Sequence, residues 1–163
     1  MSKCNSTSRT IWWGLALAGM IAGSAATASP AMAGECPAGK MQANVREKVD
    51  YKPVGVTDVT LGAINLEKQP ANIRDRELRF RKLTIEPGGI VPWHSHDDRP
   101  ALIFVQQGEI VEYASNCADP IVHKAGEIRP ETQGTSHWWK NHSAAQVVLF
   151  IADVRRDPND HNM

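Results

Sequence analysis

From Val59 onward the chain runs in short β-branched stretches, each broken by glycine or proline. That punctuation predicts strands at Val59–Asn65, Glu77–Glu86, Val91–His96, Ala101–Gln106, Glu109–Ala114, Ile121–His123, Ile128–Pro130, Ser136–Lys140 and Ala145–Val154. Pro87-Gly88-Gly89, Gln107-Gly108, Ala125-Gly126 and Gln133-Gly134 read as turns between them, at the spacing of an all-β sandwich or barrel. Residues 34–58 are polar and do not alternate; they read as an N-terminal arm, with Met41 to Tyr51 either a short helix or a stretch lying on the core. The basic run Arg74, Arg76, Arg79, Arg81, Lys82 is interleaved with Asp75 and Glu77, so a solvated strand face is expected there rather than an anion site.

The first 33 residues follow another rule. A polar, mildly basic start is followed by a small, apolar run from Ile11 to Ala28 and by Ala31-Met32-Ala33, the small-x-small form read by signal peptidase. A membrane anchor is the competing reading. Gly14, Gly19, Gly23, Ser24 and Thr27 weaken it, because a spanning helix needs about 20 mostly apolar residues. The expected organisation is a signal peptide over 1–33, an arm over 34–58, a barrel domain over 59–155 and a tail over 156–163. Periplasmic or secreted location follows, with no stable membrane insertion after cleavage.

Composition sharpens the picture once that segment is set aside. Residues 34–163 hold 21 Val and Ile against 6 Leu, with 9 Gly and 9 Pro, which favours strands and tight turns over a helical bundle. The whole chain has 18 Lys+Arg and 18 Asp+Glu; without Lys3 and Arg9 there are 16 basic side chains against 18 acidic ones. Near-neutral charge without a basic run or tail argues against nucleic acid or anionic membranes as the main partner. Cys36 and Cys117 are the two cysteines left after cleavage, and in an oxidising compartment a disulfide between them is the preferred reading over two separate thiols.

Three of the six histidines carry the candidate chemistry. His94 and His96 are two apart in a predicted strand, so both imidazoles share one face, with Trp93 and Ser95 on the other. His137 starts a strand about forty residues later and reaches the pair only if the sheet closes on itself. Borderline transition metals accept neutral imidazole, and three such ligands leave positions open for water or substrate.

These residues also carry a resemblance. Gly88, five residues, His94-Ser95-His96 and then Gly108 are similar to the first motif of the cupin superfamily. Gly126, five residues, Thr132-Gln133-Gly134, two residues, His137, three residues and Asn141 resemble its second motif. The resemblance implies a single jelly-roll β-barrel with a metal held inside by His94, His96 and His137, the ion being Fe(II), Mn(II), Ni(II) or Zn(II). It places Gly108 in a hairpin that wants a positive φ. Two positions depart from the pattern. Thr132 stands where proline is usual, which touches only a turn. Ala101 stands where a glutamate ligand is usual, which leaves three neutral imidazoles and a weaker hold on the ion. Three outcomes stay open: a three-His centre, Asp97 or Asp98 as a substitute ligand, or weak or lost metal binding. Arg99 lies in the same loop, either aimed at an anionic ligand or in a surface salt bridge.

Parity extends the site. With Ala101 inward, Ile103 and Val105 point inward too, and Trp139 shares its face with His137, giving a mostly apolar small-molecule pocket over the histidines. Leu102, Phe104 and Gln106, with Trp138 and Lys140, then face outward. Phe104 and Trp138 suggest a face covered by the arm or a homodimer interface. His123, His142 and His161 have no partner at ligand spacing and are expected at the surface. Neither a paired-carboxylate arrangement nor a general base on the inward positions is visible in the sequence. Two function classes follow: a metal-dependent oxygenase acting on a small organic substrate, or a non-enzymatic periplasmic cupin that binds a small molecule or metal at a degenerate site.

Overall fold

The computed structural model describes residues 34–156. The expected signal peptide, His161 and nearly all of the expected tail lie outside them. Eight strands follow in order: β1 (Val54–Asn65), β2 (Glu77–Ser95), β3 (Ala101–Gln107), β4 (Glu109–Ala114), β5 (Ile121–Lys124), β6 (Ile128–Glu131), β7 (Ser136–Lys140) and β8 (Val147–Arg155). The strands pair antiparallel in the order β5-β4-β7-β2-β8-β3-β6, with β1 added against β2. The sheet curls into a jelly-roll half-barrel, as the all-β pattern predicts, and no helix occurs among the described residues.

Nine expected strands become eight because Pro87-Gly88-Gly89 is not a turn. It is a corner inside β2, which pairs with β8 up to Ile85 and with β7 from Ile90. Gly88 takes φ 76° and Gly89 lies where a Cβ would meet Ile85 Cγ2 at 2.6 Å and Glu86 O at 2.7 Å. Only glycine passes so close to its own strand. Asn141, fully buried, pins the corner: its backbone exchanges hydrogen bonds with Gly88 N and Gly89 O, and its amide donates to Ile85 O and Glu86 O.

Inward positions alternate as the period of two requires. Leu83, Ile85, Val91, Ile103, Val105, Ile110, Trp139, Leu149 and Ile151 form one core between the two halves of the sheet. The expectation of a solvated basic face fails here. Arg79 and Arg81 share the inward phase of Leu83, and both are almost fully buried. Arg79 makes a bidentate bond to its cross-strand partner Asp153 at 2.9 and 2.6 Å, and Arg81 reaches Asp58 at 2.5 Å. Interleaved acids had suggested solvent; what matters instead is that Asp153 on β8 is inward at the matching register.

The outer face of β2, β8, β3 and β6 is apolar. Leu102, Phe104 and Ile128 are exposed, and Phe80 stacks on Phe150 with ring centres 5.6 Å apart. Leu102, Phe104 and Gln106 thus point outward as parity predicts. Around Trp138 the arm supplies Tyr51, which meets it edge-on at 4.7 Å, and β4 supplies the cross-strand Tyr113, which stacks on it at 4.1 Å.

The arm is extended rather than helical. Met41 bridges Cys117, Gln42 N and Val45 N donate to Asn116 O and Ser115 O, and Cys36 is bonded to Cys117 across 81 positions. The expected disulfide is present. It closes a long loop, which in the chain-entropy model limits the unfolded state by at most about 4.5 kcal/mol. We expect Cys36→Ser, Cys117→Ser protein to lose between about 2 and 4.5 kcal/mol of unfolding free energy in urea; an unchanged midpoint would show that the bond adds nothing to stability.

Candidate metal centre

His94 on β2 and His137 on β7 are direct cross-strand partners, so the barrel's curl brings together what forty residues separate. Parity alone would not have pointed them inward. Val91 is inward at an odd position, as are Leu83 and Ile85, whereas His94 and His96 are inward at even ones. The phase changes because Val91 pairs with Trp139 and His94 with His137, three residues against two. This bulge at Pro92-Trp93 re-aims the histidines, a common device beside functional sites. His96 follows the end of β2 and is held by its N–H bond to Thr135 O at 2.9 Å.

The three Nε2 atoms converge. His137 Nε2 lies 3.0 Å from that of His96 and 3.1 Å from that of His94. Each Nδ1 faces an oxygen that only accepts: Pro92 O at 2.9 Å for His94, Arg99 O at 2.8 Å for His96, and Glu112 Oε1 at 2.8 Å for His137. In the neutral ring each Nδ1 therefore carries the proton and each Nε2 the lone pair, that of His137 lying 3.3 Å from the Trp139 indole N–H. Three lone pairs at this separation repel unless a cation sits among them. Two nitrogens about 2.0–2.1 Å from one ion and at right angles to each other are about 3.0 Å apart. The residues fit a divalent transition ion.

Burial and the neighbouring imidazoles hold His94 well below its ordinary pKa and push His96 down to about 3. Both are therefore neutral, ligand-competent rings at pH 7.

Behind His137 lies a polar network that sequence reasoning missed. Glu112 is fully buried; its second oxygen accepts from His123 Nε2 at 2.8 Å and lies 3.4 Å from Arg129 Nε. Arg129 Nε also donates to Glu131 Oε1 at 3.0 Å, and that oxygen is 3.5 Å from His137 Nδ1. His123, expected at the surface, is buried and stacks on Trp139 at 4.5 Å. A paired-carboxylate arrangement does exist, and both members are inward. Glu112 lies between the inward Ile110 and Ala114, the one parity signal that identifies it from sequence. Burial opposes ionisation of Glu112, but bonds from His123 and His137 outweigh it and hold the carboxyl below its usual range. Burial, with the Glu112 charge, raises Glu131 to about 7. His142 is at the surface as expected, against Tyr113 Oη at 2.9 Å.

Neither loop aspartate substitutes for the missing ligand. Asp97 accepts from Gly134 N at 2.7 Å and Asp98 pairs with Arg76 at 2.5 Å, both in exposed positions. Arg99 is not a surface salt bridge; it is buried, close enough to act electrostatically on Asp153 and His94. Above the histidines opens a pocket with about 300 Å³ of free space, mouth included, narrowing to room for roughly one water. His94, His96, Arg81, Ile103, Trp139 and Leu149 are among the groups lining it. Of the four expected pocket residues Ile103 and Trp139 line it, while Ala101 and Val105 are buried in the wall without reaching it.

A cupin-domain family model matches residues 81–153. Among curated proteins none matches the sequence. Among solved structures, an oxalate oxidase in complex with the substrate analogue glycolate superposes with TM-score 0.50 at 18% identity, covering 76% of this chain and 64% of its own. The cupin domain of Schizosaccharomyces pombe Cnp3 gives 0.49 at 14%, covering 66% and 70%, and TT1209 from Thermus thermophilus gives 0.49 at 16%, covering 67% and 91%. At such identities the likeness is one of fold. Within the matched segment, Gly108 sits in the hairpin between β3 and β4 with φ 86°, and Asn141 is the clamp on the β2 corner.

The depressed imidazoles set a pH dependence for the metal-free protein. Between about pH 6.5 and 3, unfolding lets His94 and His96 take up protons, so stability falls with pH; Glu131, protonated when folded up to about 7, opposes this between 4.5 and 7. Two protons gained against one lost leave a net loss of at most about 1.4 kcal/mol per pH unit from pH 6 to 5. Urea unfolding at the two pH values checks the sign, and stability that rises on acidification contradicts it.

Proposed function

We propose that this is an exported cupin that binds a divalent transition ion, Fe(II), Mn(II), Ni(II) or Zn(II), through His94, His96 and His137 and acts as an oxygenase on a small organic molecule. The observation that carries the reading is the meeting of three imidazole Nε2 atoms beside an apolar pocket. A bound ion supplies Lewis-acid or redox chemistry at its open positions. The chain's own part is to orient and to dry the site. Pro92 O, Arg99 O and Glu112 fix the three ring orientations, while Ile103, Trp139 and Leu149 exclude water. Arg81 places a guanidinium on the same wall, so a substrate with an anionic or strongly polar group is favoured over a hydrocarbon. No serine, threonine or cysteine is among the residues lining the pocket, which leaves the reaction to the ion. The disulfide supports an oxidising compartment. Among the described residues no helix is long and apolar enough to cross a membrane.

A second reading, a binder without turnover, draws on Ala101: without a carboxylate ligand the three-imidazole set carries no charge of its own. The experiment separates the two. Protein recovered from the periplasm should begin at Gly34 by mass, and recovery only as the full-length, membrane-bound chain would contradict export. It should hold about one ion per chain, and the His94→Ala, His96→Ala variant close to none; equal, near-zero content in both would sink the metal site. Oxygen consumption by the Fe(II)-loaded protein with phenols, thiols or diketones supports the oxygenase, and none with any of them leaves the binder.

A further inference from the structure

Position 101 has lost the carboxylate that the family pattern puts there, yet its immediate neighbour across the sheet is a buried carboxylate. Ala101 on β3 pairs with Glu131 on β6. Glu131 points toward the far side of His137, where Oε1 is 3.5 Å from Nδ1, and the same Nδ1 donates to Glu112 at 2.8 Å. Both acids are essentially unexposed, and Arg129 lies against the two of them. Glu131 Oε2 has no hydrogen-bond partner. Such an arrangement is expensive to bury for packing alone: two acids share one guanidinium, and one oxygen is left without a donor.

We infer that Glu112 is a positioning residue that replaces the missing ligand carboxylate from behind, supplying through the His137 ring the negative charge that Ala101 no longer supplies directly, with Glu131 held against the same edge of the ring. A carboxylate on the outer nitrogen of a ligating imidazole fixes its tautomer and strengthens its donor atom. The inference rests on the three-His metal reading. It differs from that reading in asking what makes a set of neutral imidazoles hold an ion.

Glu112→Gln isolates the charge. The amide oxygen still accepts from His137 Nδ1, and the amide nitrogen donates to His123 once that ring moves its proton to Nδ1, which has no partner to lose. Zn(II) and Co(II) are titrated into chelator-stripped protein at pH 7 in competition with a chelator of known affinity. Wild type should bind one ion, and Glu112→Gln should bind it about 10- to 100-fold more weakly. The visible absorption of the Co(II) form should change with Glu112→Gln. Urea unfolding of the stripped variants checks that they fold. In the Glu112→Gln background, Ala101→Glu should recover part of the lost affinity; a folded double variant that recovers none marks the loss as structural and overturns the inference. Variants that bind as tightly as wild type overturn it as well. Wild type that binds neither ion overturns both this inference and the metal reading, so the two failures are told apart.

Discussion

Much of this molecule depends on one strand serving both halves of the curled sheet. β2 gives its first half to β8 and β1 and its second half to β7, and the hand-over takes place across four residues, Glu86 to Gly89. Backbone groups at such a corner lose their ladder partners, and a buried orphan costs about 1–3 kcal/mol. Asn141 meets that cost from the far end of β7 by donating to both carbonyls that the corner exposes. Because Asn141 lies four residues after His137, the clamp on the corner also sets the depth of the strand that carries the third imidazole.

Charge is the second organising fact. The interior carries two separate ionic groups. Arg79, Arg81 and Asp153 lie on the β2–β8 side, while Glu112, Arg129 and Glu131 lie behind β7. The first group is anchored by a bidentate pair between direct cross-strand neighbours, which fixes the register of β2 against β8 as well as compensating the charges. The second surrounds the back of His137. The apolar core between them is small, so the fold relies on hydrogen-bonded ions and on the disulfide of the arm where a larger domain would rely on buried area.

The sequence made the strands and the three histidines legible because both rest on local rules, alternation and spacing. Gly108 and the Cys36–Cys117 bond were readable for the same reason, one from turn geometry and the other from cysteine count. What escaped was decided across strands. Arg79 and Arg81 look like solvent-facing charges until Asp153 stands opposite, and His123 has no partner until β4 brings Glu112 beside it. Glu131 lies at the end of a four-residue strand whose inward phase no window of that length can establish. Pro87-Gly88-Gly89 reads as a turn from its composition, and only the change of partners shows it as a bend within one strand.

The bulge at Pro92-Trp93 makes the site a readout of residue count rather than residue type. A side-chain change at either position leaves the ladder's numbering intact. Removing one of the two residues would make the ladder two against two between Val91 and His94, so simple alternation from Val91 would keep both His94 and His96 inward; it is a regular ladder at the present length that would turn them toward the outer face. The donor set therefore faces inward by either of two routes, a regular two-residue step from Val91 or the present three-residue step taken through a bulge, and is lost when a three-residue step pairs without one.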